Sequence, residues 1–549
     1  MKTRPTPAGA VLKFTFAIAF GVLGSLQPGF SQAVDGFSPQ PNAAVYGLAV
    51  EPDGQVLVSG NFTAVAGQPR RGLARLNSDG SLDTSFDPSP DGFVETMLVL
   101  PDGKIMMAGS FLNIGGQARQ RLARLGPDGS VDALFNPGAS GAGLMTMVHM
   151  LALQSDGRIL VGGRFTALGG QSRTNLGRMH PDGTVDAAFR PVVAGSPGGG
   201  DVLSIVQQQD GRILIGGWFT SVAGQARVGC ARLNLDGTLD VAFNPAPDSF
   251  SVYALAVQPN GRILIGGGFT RIGGLNQSFL ARLETDGVAD PNFNPSLNGA
   301  VKCIALQADG KILIGGAFTN VNGQARPRIA RLNPDGSLDP TFNLAADSDV
   351  EALTLQPDGA VLLAGIFSTL NGQTRPYLGR VTNPTPALES FEWTATGLLW
   401  RRGGAVPEVE HAGFEFSQDQ TTWALLGPGR RTTAGWEVAG IPNPALGFCR
   451  ARALVANSGR SGSWLLEMTT DLAALRPRIL TDDDALGFAA GRFGFNVASP
   501  PGRKIVLEAS TNLLNWLPLA TNVPATNCFR FFDPDGESPP MRFYRARLE

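Results

Sequence analysis

Along most of the chain apolar and polar residues alternate with a period of two over short stretches, and no long stretch carries the 3.6-residue period of an amphipathic helix. In the first copy of the pattern, Val45–Val50 reads as a strand, Asp53-Gly54 as a turn and Gln55–Phe62 as the returning strand. A loop of about eight residues leads to a third strand, Gly72–Asn77, a second Asp79-Gly80 turn and a fourth strand, Ser81–Phe86.

The pattern occurs seven times. Its first turn returns as Asp53-Gly54, Asp102-Gly103, Asp156-Gly157, Asp210-Gly211, Asn260-Gly261, Asp309-Gly310 and Asp358-Gly359, spaced 49, 54, 54, 50, 49 and 49 residues apart. A period near fifty built from strand signals alone implies one propeller blade per repeat. The expected fold is therefore all-β, a seven-bladed β-propeller over residues 34–382 followed by two small β-sandwich domains.

The Pro-Asp-Gly turns suit a type I turn closed by a glycine bulge, and that geometry sets the register. In Asn333-Pro334-Asp335-Gly336-Ser337, Asn333 should face Ser337, which places Arg331 opposite Asp339. The same separation of eight recurs at Arg75/Asp83, Arg124/Asp132, Arg178/Asp186, Arg232/Asp240 and Arg282/Asp290. Such cross-strand pairs contribute about 0.2–1 kcal/mol each. A seventh arginine, Arg380, has no aspartate downstream, but Val34-Asp35-Gly36-Phe37 near the start of the chain matches Leu82-Asp83-Thr84-Ser85-Phe86 in outline, one residue short. We expect the N-terminal segment to supply the last strand of the final blade, with Asp35 near Arg380, which leaves no open sheet edge.

The ILIGG-x-FT strand, the GGQ-x-R loop, the LARL strand and the NPDGSLD-x-x-F turn resemble the secreted bacterial propellers built on the delta-sixty repeat. The resemblance implies the propeller fold and brings no established activity. Paired glycines are shared with kelch blades too, although the kelch Tyr and Trp positions are absent.

Residues 383–387 read as a linker, and a second duplication follows, over 388–470 and 478–549. Glu415-Phe416-Ser417 precedes Trp423 as Glu508-Ala509-Ser510 precedes Trp516, and both units carry Arg-Ala-Arg, at 450–452 and 545–547. This resembles a fibronectin type III-like strand pair with an inner Trp. The second copy stops just after its Arg-Ala-Arg strand, so it is expected to lack its last strand or to borrow one.

Composition narrows the function classes. Net charge is −2 without a basic run, which argues against nucleic acid or an anionic membrane as partner. Cys230, Cys303, Cys449 and Cys528 lie far apart and read as lone buried thiols. Lys2, Arg4 and Lys13 precede an apolar run, Phe14 to Leu26, too short for a convincing membrane span. Small residues at Ser31 and Ala33 then complete a secretory signal over residues 1–33, with cleavage expected after Ala33. The expected location is therefore outside the cytoplasm: periplasm, cell surface or medium.

No zinc, nucleophile-elbow, P-loop or dinucleotide signature occurs, and the three histidines, His149, His180 and His411, fall in unrelated contexts. Sialidase-type Asp boxes are absent as well. Asn77-x-Asp79-Gly80-x-x-Asp83 and its copies resemble a shortened calcium loop, but turn chemistry and cross-strand pairing already account for those residues. No cofactor and no metal are expected. The loop arginines Arg70, Arg119, Arg173, Arg227, Arg326 and Arg375 repeat in nearly every blade, which suits architecture better than an anion site.

A binding site should appear where the repeats differ. The connection from the last Phe of one repeat to the next turn is 16 or 17 residues, except for 21 in Phe135–Asp156 and Phe189–Asp210, with insertions at Gly138–Thr146 and Val192–Gly200. The residue after the Gly-Gly-like pair of the second strand is Asn61, Ser110, Arg164, Trp218, Gly268, Ala317 or Ile366, and the two large members, Arg164 and Trp218, belong to the same two blades. Trp218, Arg164 and His149 are accordingly the expected ligand-binding residues, on a face offered to an extracellular glycan or protein. The expected protein is a monomeric, non-catalytic recognition or surface protein; the alternative is an extracellular polysaccharide-acting hydrolase or lyase with carboxylates at the propeller channel.

Overall fold

The computed structural model describes residues 32–141, 145–195, 199–394, 397–439, 447–455, 464–475, 478–479, 487–489, 492–499, 504–511, 514–526, 528–534 and 542–548. Residues 1–31, most of the expected secretory signal, lie outside that set. The described structure is all-β apart from one 3-10 turn, Leu472–Leu475.

Seven three-stranded antiparallel sheets stand around a central axis. In the first, Val45–Val50 pairs with Val56–Gly60, which pairs with Leu73–Leu76. The first strand of each repeat is innermost and packs on its neighbours all the way round, Val350–Leu355 against Val45–Val50 included. Phenylalanines such as Phe62, Phe86, Phe111 and Phe135 are fully buried between blades. Two details depart from the four-strand expectation. The fourth strand is reduced to a single bridge, such as Leu76 with Leu82. The eight-residue loop holds a small hairpin instead, Ala64–Val65 with Gln68–Pro69.

Each third-strand arginine meets the aspartate eight residues on, at 2.7–2.9 Å in six blades. The seventh pair is Arg380 Nε to Asp35 Oδ2 at 2.5 Å, and Val34 bridges Val381. The arginines also reach beyond their own blade. Arg75, Arg124, Arg178, Arg232 and Arg282 donate to the backbone carbonyls of Pro127, Pro181, Leu235, Thr285 and Pro334 in the second turn of the next repeat, at 2.5–2.6 Å. The last blade has no such turn, and Asn383 Oδ1 takes its place as acceptor for Arg331 at 2.6 Å, so the expected linker is tied to the ring. Loop arginines are spent on architecture too: Arg70, Arg173 and Arg375 donate to the carbonyls of Thr84, Asp186 and Asp35.

The first C-terminal unit is a sandwich of two four-stranded sheets. One contains Ala387–Trp393, Gly397–Gly404, Gly435–Ala439 and Arg430–Thr432; the other Ala424–Pro428, His411–Ser417, Phe448–Val455 and Trp464–Asp471. Its core is Phe391, Trp400, Phe414, Trp436 and Trp464. Trp423 is not the inner residue expected: it is half-buried, under the Arg450 guanidinium at 4.2 Å, and Arg450 pairs with Glu415 directly across the sheet. Trp516, Arg545 and Glu508 repeat this outer-face arrangement. In the second unit, Ile505–Ser510 pairs with Leu517–Asn522 and Phe543–Leu548, a three-stranded sheet where the first unit has four. Three of the cysteines are buried, but Cys528 is exposed, contrary to expectation.

The first sandwich docks on the face formed by the Asp-Gly turns. Ala308 N–H donates to Val406 O, Glu408 N–H to Leu306 O, and Trp464 Nε1 to Thr354 Oγ1 on an innermost strand. Gly359 packs on Ala405, and Arg452 donates to Pro101 O in the second blade. One mouth of the channel is thus covered; the other, the open face, makes no hydrogen bond to the sandwiches among the described residues.

Candidate binding site at the channel mouth

Every innermost strand begins with a β-bulge, between Val45/Gly47 in the first blade and at the matching place in the other six. A bulge inserts one residue that the partner strand does not match and re-aims its side chain. The inserted residues are Tyr46, Glu95, His149, Leu203, Tyr253, Lys302 and Glu351. They stand at one level of the innermost strands, so they form a ring at the channel mouth on the open face. The residue before each is valine in all seven copies, whereas this column carries five different residue types. The rule that singled out the second-strand ends, variation against a constant background, could have found it.

Trp218 ends the second strand of the fourth blade. It is 38% exposed and meets Tyr253 of the fifth blade edge to face, with ring centroids 6.3 Å apart. Its cross-strand partner is Asp201. Asp201 is 2% exposed and receives a two-pronged ion pair from Arg164 of the third blade, Nε at 2.6 Å and Nη2 at 2.7 Å. His149 Nε2 lies 3.7 Å from the same carboxylate. Burial would push the Asp201 carboxyl up, but the hydrogen-bonded Arg164 guanidinium and the nearby His149 imidazole outweigh it and hold the group below the usual carboxylate range. Asp201 therefore stays ionised near neutral pH and acts as a fixed clamp on Arg164. Trp218, Arg164 and His149 thus lie around one buried residue, Asp201, which the sequence pattern did not single out.

The two insertions flank this cluster. Ala139–Ser140 and Val193–Ala194 add a third strand to the small hairpins of blades three and four. In other blades that contact is a single bridge, such as Pro90 with Ile114. Residues 142–144 and 196–198 of the insertions lie outside the described set. The stems are fixed to the blade: Arg121 donates to Thr146 O and Ala139 O, and Asn175 Nδ2 to Val193 O.

Across the ring, Lys302 Nζ pairs with Asp349 at 2.9 Å and with Glu351 at 2.5 Å, and Arg328 also meets Asp349 at 2.9 Å. These carboxylates are neutralised within the protein. The residues of the calcium-like loop are engaged separately: Asp79 Oδ1 accepts from Ser81 N–H and Oγ, while Asp83 faces Arg75. His180 sits in the second turn of blade three, and His411 in the first sandwich.

No curated protein matches the sequence. Two solved structures are similar: the extracellular domain of the hybrid two-component system BT3049 from B. thetaiotaomicron and a glycoside hydrolase. The first is 12% identical over 92% of this chain and 82% of its own, with a TM-score of 0.28. The second is 11% identical over 93% of this chain and 97% of its own, with a TM-score of 0.22. A family model described as "Domain of unknown function (DUF5122) beta-propeller" matches residues 51–86, 100–135, 154–189, 208–243, 258–293, 307–342 and 356–383. Seven segments between residues 51 and 383 therefore match the repeat of the DUF5122 β-propeller family.

Proposed function

We propose that this is an exported, non-catalytic recognition protein whose open propeller face binds a glycan or a protein ligand around Trp218. The exposed indole carries the reading, set edge-on to Tyr253 and beside the Arg164–Asp201–His149 cluster. Flat aromatic surface next to a fixed guanidinium is what sugar rings and peptide side chains pack against, and Trp, Tyr and Arg dominate binding hot spots. On this reading the chain acts as a monomer without a cofactor. The two sandwiches, read as fibronectin type III-like, act as spacer and attachment, and the first leaves only one propeller face for a ligand. The test is binding of the exported protein to a broad glycan and polysaccharide array beside Trp218→Ala. Binding lost in the variant supports the reading; binding unchanged in the variant overturns the site. Binding to no glycan at all leaves the protein-ligand arm, read by the same pair of proteins on a panel of surface proteins.

A second reading is favoured by Glu95 and Glu351 standing in one ring with Tyr46 and Tyr253, a set that polysaccharide hydrolases or lyases could use. It predicts release of reducing ends or unsaturated products from a polysaccharide, abolished in Glu351→Gln. Absence of products across the polysaccharides that bind would end it.

A further inference from the structure

We propose that the secretory signal is removed between Ser31 and Gln32, so that the mature chain begins at Gln32 and not at Val34. The proposal rests on the export reading above, and its geometric basis is the ring closure. Gln32 is 5% exposed and bonds to three positions in the last two repeats. Its side-chain amide donates to Thr341 O at 2.5 Å and accepts from Asn343 N–H at 2.7 Å, and its backbone carbonyl accepts from Asn371 Nδ2 at 3.3 Å. Ala33 is built in as well: Thr382 N–H donates to Ala33 O, and Ala33 N–H to Thr382 Oγ1, both at 3.0 Å.

A cut after Ala33 would sever this arrangement. Two backbone hydrogen bonds flank the Val34/Val381 bridge, Thr382 N–H to Ala33 O and Asp35 N–H to Arg380 O. Removing Ala33 deletes the first. It also removes Gln32, whose side chain bridges Thr341 O and Asn343 N–H. A cut two residues earlier keeps that bond, together with the contacts of Ala33 and Gln32. Sequence chemistry permits it, because Gly29 and Ser31 supply the small residues that signal cleavage needs at positions −3 and −1. Hydrolysis of the Ser31–Gln32 peptide bond by water yields the Ser31 carboxylate on the leader and a free Gln32 amine, with no other reactant.

The full chain is expressed with its own leader in an exporting bacterial host, and the intact mass and N-terminal sequence of the exported protein are read. A terminus at Gln32, with or without loss of ammonia by cyclisation of that glutamine, is the expected result. A terminus at Val34 or at any other exported position overturns the proposal, whereas a chain that stays unprocessed in the cell overturns the export reading itself. Ala33→Leu separates the two cut sites independently: it should leave processing intact here, but would block a cut for which Ala33 is the −1 residue. Finally, Gln32→Ala should lower Tm by about 2 °C or more through the lost hydrogen bonds, and an unchanged Tm removes the structural basis.

Discussion

Arg380 and Asp35 are 345 residues apart in the chain and form the ion pair that closes the propeller, Nε to Oδ2 at 2.5 Å. The guanidinium also covers the buried Phe37 ring at 4.8 Å and donates to Ser78 O in the first blade at 2.8 Å. It therefore does at the seam what Arg75 or Arg232 does inside the ring. The ion pair is partly exposed and contributes little alone, about 0.2–1 kcal/mol, but the cation–π contact and the bond to Ser78 add to it. We expect Arg380→Ala to lower unfolding stability by about 2 kcal/mol. In denaturant titrations a change below about 0.5 kcal/mol would mean that the closure is held by other contacts.

The sixth blade offers a harsher case. Arg331 is fully buried, and Asp339 opposite it is 2% exposed. Burial would raise the Asp339 carboxyl, but bonds from Lys311 and Thr341 and the Arg331 charge hold it well below the usual range. Taking away one partner leaves an uncompensated buried charge, so Asp339→Asn should cost about 3 kcal/mol near neutral pH. A carboxyl depressed by folding stabilises the fold above its unfolded pKa, and that contribution is lost as pH falls toward the folded value. The penalty of the substitution should therefore be full at pH 6 and shrink below about pH 4. A penalty independent of pH would show that the asparagine fails for reasons other than charge.

A glycine with two separate obligations lies in the second turn of the fourth blade. Gly237 has φ +90°, and a Cβ there would meet the ring of Phe189, from the preceding blade, at 2.7 Å. The backbone conformation alone disfavours an L side chain by about 1–2 kcal/mol, and the ring is packed on all sides. Gly237→Ala should cost about 2 kcal/mol or more, whereas Gly224→Ala, with φ +75° and nothing within 4 Å, should cost only the backbone part. Equal effects on Tm would remove the inter-blade contact from the account.

The contrast between these residues shows what a repeat sequence reveals. A separation of eight across a Pro-Asp-Gly turn fixes which arginine meets which aspartate, because hairpin register is local. The missing seventh aspartate follows by counting, and so does its position near the N-terminus. The stacking of Phe189 under Gly237 does not follow, because it depends on the angle between neighbouring blades and no local pattern encodes that. The same limit hid Asp201, whose importance comes from Arg164 reaching over from another blade. It also hid the docking of the first sandwich on the Asp-Gly face, since Val406, Pro407 and Glu408 look like any loop until Gln307 bridges Pro407. The Trp423 misreading has a comparable cause: spacing alone cannot tell a tryptophan inside a sandwich from one stacked outside on Arg450.

Glu51 gives the last prediction, because the repeats themselves suggest its replacement. It occupies the place held by Gln154, Gln208, Gln258, Gln307 and Gln356 in five other blades. Burial pushes its carboxyl up to about 7, and the Arg75 charge, 3.7 Å away, offsets this only in part. Arg75 already has Asp83 as its close partner, so a neutral amide at position 51 strands no cation. For an acid whose pKa is raised by folding, the native state holds the proton more tightly than the unfolded chain does. Stability is then full below the unfolded value of 4.5 and is lost as pH rises through about 7. Glu51→Gln should thus match the parent protein in Tm at pH 4 and exceed it at pH 8, with the gap opening between those values. A gap already present at pH 4 would assign the gain to amide hydrogen bonding, and no gap at pH 8 would mean that Arg75 fully compensates the buried charge.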